Sequence, residues 1–390
     1  MNLFIIPSWF PSEQYPSTGI FFKEQAQIIA RKYPEWKVGV STWGSHEPSL
    51  WIRLVKPLDT LIKLTSRFPI RAHEKLLEAN CVLFFTPAHT WSRRFLKGNI
   101  NRIIKANEEN LKRYITHFGK PDLMQADISF PAGYIAASLS KKYKIPFFIK
   151  EQMSPFPLPS FKSDYHKWLI PPLDQADAVL AVGNNLIKEL AEKDVKADLT
   201  INFIDLDFFQ LSAPEKREVI NVFALGRMVP QKGFDHLIKA LGGIKDRNWQ
   251  LRIGGSGPML KSLKKLSRKY KIKQKVSFLG ELDQNQVVDE MQNCDFFVLS
   301  SRHESFGVVL LEAMACGKPV LVTRCGGITD QLPDQVSIQC DPSAGSLKEG
   351  LLKMFEVYSH FDSTKIRTFV ETHYSVDQAV AQLEEIKSRF

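Results

Sequence analysis

The chain has 390 residues, 44% hydrophobic and 24% charged. That balance excludes a disordered or fibrous protein, and at about 100–200 residues per domain the length points to two domains. No apolar run reaches the ~18 residues a spanning helix needs, and the net charge of +10 is uneven: residues 51–150 hold 18 Lys and Arg against 7 Asp and Glu, so the rest sums to −1.

Met1 to Ile6 is apolar, has no basic stretch before it and is stopped by Pro7, so it reads as a buried strand rather than a secretion signal. Strand Leu3–Ile6 is followed by a helix over Phe21–Arg31 and a strand over Val38–Ser41. In residues 51–70, Trp51, Leu54, Val55, Leu58, Leu61 and Ile62 fall at helical spacing among Arg53, Lys56, Lys63 and Arg67. Residues 91–105 repeat the idea with Trp91, Arg93, Arg94, Phe95, Leu96 and Lys97. Both suit a helix lying in an anionic interface, and both equally suit a core-facing helix with a solvated basic rim. The local positive field fits an anionic membrane surface, a polyanion or a phosphorylated substrate.

Further strands are expected at Cys81–Phe85, Leu123–Ala126, Phe147–Lys150 and Ala178–Val182. Asn202, Asp205 and Asp207 interrupt the pattern, which places a boundary near Leu199–Phe209. Beyond it the alternation is regular. Strands Val222–Leu225, Leu251–Ile253, Val276–Leu279, Phe296–Leu299 and Pro319–Val322 alternate with helices Phe234–Leu241, Met259–Tyr270, Gln284–Gln292 and Phe306–Ala315. Ser375–Phe390 reads as a last helix. Such alternation gives parallel sheets in an α/β fold of two domains, and open sheets of this kind bind ligands beyond the carboxyl ends of their strands.

The strand-to-helix loops therefore carry the functional argument. In Gly226–Gly233, Arg227 and Lys232 can converge on a diphosphate, the first as a fork and the second as a point charge; a solvated basic loop is the plain alternative. Gly254–Pro258 is a Gly-rich turn that can cradle a phosphate, yet it matches neither the dinucleotide fingerprint nor a P-loop. Ser300–Gly307 leads into an apolar helix. Glu304 stands at the junction and Glu312 about two turns inside, where a carboxylate is costly without a partner such as a sugar or ribose hydroxyl. The amides of Ser305, Phe306 and Gly307 would sit at a helix N-terminus, which favours phosphate. The plain alternatives are a salt bridge for Glu312 and a cap for Glu304. The five cysteines are irregularly spaced and form no C-x-x-C, so neither disulfides nor zinc are expected, and free thiols in a reducing cytoplasm are.

Taken together, Gly19, Gly226-Arg227 with Lys232-Gly233, Gly255-x-Gly-Pro, Phe278-Leu279-Gly280 and the pair Glu304/Glu312 resemble the retaining glycosyltransferases of the glycogen-synthase-like superfamily, family 4 in particular. Asn202–Asp205 is similar to that family's interdomain segment. The resemblance is dense from about 220 to 332 and thin from 45 to 120.

The resemblance implies two Rossmann-like domains facing across a cleft (the GT-B type), with the last helix crossing back to the first. The expected domains are 1–203 with 375–390, binding the acceptor, and 204–374, binding a nucleotide-sugar. It also implies that Arg227 and Lys232 clamp the diphosphate and stabilise the leaving group without a metal. Glu312 would hold the ribose, Glu304 the donor sugar, and the backbone around Leu279 the base. Gly226, Gly255, Ser305, Phe306 and Gly307 would line the donor site, and Gly19 would let its loop approach phosphate and acceptor. The expected substrates are a UDP- or GDP-sugar and a glycan or lipid-linked acceptor, with no nucleic acid partner; the expected location is cytoplasmic, and the positive segment 51–150 adds peripheral binding to the anionic inner leaflet as a hypothesis. Many relatives carry a His after the strand matching Pro146–Lys150. Here the pair reads Glu151-Gln152, and Gln152 can bond a sugar hydroxyl but cannot act as an acid or base. His303 is the nearby candidate for that role, although a His beside a loop is more often structural. A sugar-nucleotide epimerase of the same architecture would use the same diphosphate logic. A non-catalytic polyanion- or membrane-binding protein would explain the charge but not the loops.

Overall fold

A computed structural model describes residues 1–12, 18–44, 71–88, 96–158, 161, 165–211 and 218–390. The basic segment 51–70 and residues 91–95, with Trp51 and Trp91, lie outside the described residues; Leu96 and Lys97 open helix Leu96–Phe118. The chain forms two compact units. One comprises Met1–Val182, Leu186–Thr200 and Val380–Phe390; the other comprises Gly183–Asn185 and Ile201–Ala379.

The described residues of the first unit form eight strands: β1 Asn2–Pro7, β2 Lys37–Trp43, β3 His73–Glu78, β4 Cys81–Thr86, β5 Leu123–Asp127, β6 Phe147–Glu151, β7 Ala178–Ala181 and β8 Asp198–Leu199. Their order in the sheet is β3-β4-β2-β1-β5-β6-β7-β8. All pairings are parallel except β3 with β4. Leu3, Phe4, Ile5 and Ile6 are all buried, as in strands covered on both faces, which show as continuous apolar runs. Antiparallel β3 is an edge strand whose exposed His73, Glu74 and Lys75 discourage further pairing. Its charged residues carry no strand signal, and β8 is too short to carry one.

The second unit holds β9 Ile220–Leu225, β10 Trp249–Gly254, β11 Val276–Gly280, β12 Phe296–Leu299, β13 Val320–Thr323 and β14 Ser337–Cys340, all parallel. The order β11-β10-β9-β12-β13-β14 means that the chain builds outward from β9 to one edge, then returns to build outward from β12 to the other. The reversal between β9 and β12 is the switch point at which sheets of this kind open a ligand crevice. Trp249, Leu237, Leu251, Leu347 and Met354 lie in the core beneath it. Helices Ala344–Val357 and Ser363–His373, and strand β14, add to the elements expected from the sequence.

The last helix, Val376–Lys387, joins the first unit from Val380 onward. Gln382 accepts from the Thr200 hydroxyl at 2.6 Å and donates to the Leu199 carbonyl at 2.9 Å, and Lys387 reaches Asp122 at 3.0 Å. Within the second unit Arg367 fastens the chain entry. Its guanidinium donates to the carbonyls of Ala315 (2.9 Å), Leu206 (2.8 Å) and Phe209. Arg367→Ala strands three carbonyls and is expected to lower the stability of this unit by about 2–4 kcal/mol, read as a lower urea midpoint at unchanged slope.

Candidate functional site

Four loops leave the carboxyl ends of β11, β10, β9 and β12. Backbone bonds fasten the first three side by side. Gly226 N donates to Gly254 O at 3.2 Å, Met228 N to Ser256 O at 2.7 Å, and Gly255 N to Gly280 O at 2.6 Å. Leu279, half-buried, lies one residue before that last junction.

The loops after β9 and β12 flank the switch point and interlock. Pro230–Lys232 forms a single 3-10 turn that ends at Gly233 in the left-handed region (φ 64). A Cβ there would stand 1.9 Å from the Ser300 carbonyl oxygen, so this close approach admits only glycine. Ser300 Oγ donates to Lys232 O at 3.0 Å and Arg302 N to Gln231 O at 2.7 Å. The Arg302 guanidinium donates to the Pro230 carbonyl, to both Asp235 oxygens at 2.8 Å, and meets His236 Nε2 at 2.8 Å.

This frame brings Lys232 and Glu304 together. Lys232 Nζ lies 2.5 Å from Glu304 Oε1, and the Ser301 hydroxyl donates to the same oxygen at 2.5 Å. The Glu304 side chain is 7% exposed and that of Lys232 23%, so the pair is sheltered but the ammonium still faces solvent. An ammonium has three donors, so two remain beyond the one given to Glu304. Glu304 Oε2 has no partner among the described residues. Arg227 is exposed and forms no ion pair among the described residues.

The helix expected from Phe306 begins at Val308, because Gly307 adopts a left-handed conformation (φ 96, ψ 49) that interrupts helical geometry. Phe306 is buried, and its carbonyl accepts from Ile328 N at 3.0 Å; Glu304 N donates to Cys325 O at 2.8 Å. A loop at 325–328, overlooked in the sequence, thus braces residues 304–306. The N–H groups of Ser305, Phe306 and Gly307 donate to no other described residue. Three successive amides left open beside a helix start form an anion-binding feature. Glu312 is half-buried on the second turn, four residues past the helix start and so shallower than expected. His303 is half-buried, and its carbonyl accepts from Gln231 at 3.2 Å.

Gly19 and Gln152 belong to the first unit. Gly19 (φ 68) opens helix Ile20–Lys32, and a Cβ on it would meet the Trp9 carbonyl oxygen at 2.6 Å. Gln152 follows β6 half-buried, its N–H donating to Glu151 Oε1 at 2.9 Å. Glu151 is fully buried; burial raises its pKa, opposed by the amides of Ser129, Gln152 and Met153 at 2.8–2.9 Å.

Sequence reasoning passed over Asp127 and Lys150, register partners at the ends of β5 and β6 and both buried. Burial pushes Asp127 up to about 6 and Lys150 down to about 8. A charged residue closing each of two apolar strands was the available signal. Ile128, next to Asp127, holds a φ of 77, which is strained for a β-branched residue. Among the described residues no three His, Cys, Asp or Glu side chains are placed to hold a metal, and all five cysteines are buried free thiols.

Two α/β units with parallel sheets, the second opening at a switch point lined by cations and free amides, define the class: a protein with two Rossmann-like units of the GT-B type. Residues 203–362, which lie within the second unit, match the family Glycosyl transferases group 1. Over 193 residues the chain is 30% identical to the Homo sapiens protein that forms one subunit of phosphatidylinositol N-acetylglucosaminyltransferase, covering 48% of this chain and 40% of that protein. It is 30% identical over 217 residues to an uncharacterized glycosyltransferase of Methanocaldococcus jannaschii, covering 55% of this chain and 59% of the relative. The matches therefore span less than two thirds of these curated relatives. Sucrose-phosphate synthase from Thermosynechococcus elongatus shares the fold at a TM-score of 0.74 and 17% identity, over 100% of this chain and 99% of that one. HepE of Anabaena, in complex with UDP and glucose, does so at 0.69 and 16%, over 100% of both chains.

Arg302→Ala is expected to cost about 2 kcal/mol of stability, measured by urea unfolding, because it removes the nitrogen that bonds both oxygens of the partly buried Asp235 and leaves Lys239 at 3.4 Å. The pH dependence is also fixed. Burial, and then the Arg302 cation, lowers the His236 pKa, so folded His236 stays neutral where an unfolded histidine takes up a proton. Stability should fall as pH drops below about 6.5, and His236→Gln should flatten that slope in unfolding measured across pH.

Proposed function

We propose that the chain is a retaining glycosyltransferase that moves a sugar from a nucleotide-diphospho-sugar, with UDP or GDP as the nucleotide, to a glycan or lipid-linked acceptor. Its setting is bacterial surface polysaccharide synthesis at the cytoplasmic face of the inner membrane. The observation that carries the reading is that the open amides of Ser305, Phe306 and Gly307 follow Glu304 on the loop after β12, beside its pair with Lys232 from the loop after β9, at the switch point of the second sheet.

In this reading the amides and Lys232 receive the diphosphate, and Arg227 folds onto it from the solvent side. As the bond from the anomeric carbon to the phosphate oxygen breaks, negative charge grows on the leaving diphosphate, where these preorganised donors stabilise it without a metal. Glu304 acts twice. Oε1 aims the ammonium, and Oε2 accepts from a hydroxyl of the donor sugar. Glu312 holds the ribose, and the backbone around Leu279 and Gly255 borders the nucleoside. The first unit supplies the acceptor side through Gly19 and Gln152, and the sugar keeps its anomeric configuration.

Thermal shift against UDP, GDP, ADP and CMP tests the donor site. A ligand at about 100 times its Kd adds about 2.7 kcal/mol. One uridine or guanosine diphosphate should raise Tm clearly, and Lys232→Ala should abolish the shift while the apo protein stays folded. Glu304→Ala should cut turnover with a UDP- or GDP-sugar by at least about a hundredfold. Near-normal turnover in both variants would remove the site from these loops. A shift without transfer, with interconversion of the free sugar nucleotide, would favour the epimerase.

A further inference from the structure

Helix Leu260–Lys269 and the turn after it carry a charge pattern that the donor site does not use. From Ile253 to Gly280 the sequence contains no Asp or Glu. Lys261, Lys264, Lys265, Arg268 and Lys269 are all exposed, and two more exposed lysines follow within residues 271–273. The first four fall at i, i+3, i+4 and i+7, so they share one stripe on which like charges repel. Glu281, the first acid after this run, accepts from the Ser256 hydroxyl. None of the five helix cations forms an ion pair among the described residues. A self-repelling stripe with no relieving acid is a surface that gains from an external anion.

The opposite face is already occupied. Leu263 and Ser267 are buried, and Leu260, Leu266 and Tyr270 pack against the core of the second unit. The helix therefore has no free apolar side to insert, and its outer face is a convex ridge of charge.

We propose that this ridge docks the protein on an anionic lipid bilayer. Three features favour a bilayer over a nucleic acid. The cations are mostly lysines, point charges suited to mobile headgroups rather than to forked contacts with a fixed phosphate. The rings beside them, Tyr270 and Phe278, are half-buried and packed against the core, the second with the Lys264 ammonium over it at 5.9 Å, so neither offers a free face to stack a base. A convex ridge meets a fluid surface more readily than it wraps a strand. Helix Leu260–Lys269 starts three residues after Gly257 in the loop beside the donor site, so docking and donor binding share one short segment. The biological use of the ridge rests on the lipid-linked acceptor proposed above, whereas the docking itself needs no sugar nucleotide.

The full chain is sedimented with phosphatidylcholine vesicles, with and without phosphatidylglycerol, at low and high salt. Binding should require phosphatidylglycerol and be released by salt. The combined variant Lys261→Glu, Lys264→Glu, Lys265→Glu, Arg268→Glu should bind at least about tenfold more weakly. Its Tm and its nucleotide-induced shift should match the wild type, which separates this result from the donor-site reading. Wild-type binding that the variant leaves undiminished would overturn the ridge and keep a membrane-bound protein. No wild-type binding to phosphatidylglycerol would overturn it outright. Tight binding to duplex RNA in place of vesicles, lost in the variant, would overturn it in favour of nucleic acid.

Discussion

The second unit is organised around one close approach, that of Gly233 to the carbonyl of Ser300. Two loops leave adjacent strands whose helices diverge to opposite halves of the sheet, and nothing in the strand pairing obliges those loops to touch. The missing side chain at Gly233 permits contact, and Ser300, Arg302 and Gln231 then fasten it. Lys232, one residue earlier, is carried to Glu304 by that fastening. A methyl group at this point would separate the two charges by displacing a backbone rather than a side chain.

The two units treat buried charge differently. Lys232 and Glu304 form a direct pair at the rim of their sheet, with the lysine the more exposed of the two. Asp127 and Lys150 lie at the end of theirs, fully buried, and burial drives both toward their neutral forms. Gln125 donates to Asp127 at 2.8 Å and Lys150 donates to Gln25 at 3.2 Å, so each is also tied to a neutral amide. The first arrangement leaves the ammonium at the rim, within reach of a ligand. The second places two buried titratable groups, each shifted toward its neutral form, beside the strained Ile128.

Much of the second unit was legible because a buried parallel sheet writes itself as short apolar runs separated by glycine-rich loops. Phe296–Leu299 has the same bounds in sequence and structure. Phe306 misled, since an apolar residue before Gly307 reads as helix while the glycine's backbone decides otherwise. Strand β3 escaped because an edge strand protected by charge has the composition of a loop. In the site, residue types pointed to Lys232 and Glu304 separately, but their bond joins positions 72 residues apart and no local pattern encodes it. Arg302 and Asp235 were passed over for the same reason: each is an ordinary surface residue until the loops meet.

The division of the chain has a consequence for the order of its making. The second unit is continuous from Ile201 to Ala379 apart from three residues, whereas the first is completed only by Val380–Phe390. A ribosome releases the whole of the second unit before it releases the segment in which Gln382 seals Leu199 and Thr200. The half begun first is therefore still incomplete when the other is whole, and the early strands β1 to β8 wait for Val380–Phe390 while the later unit folds as a block.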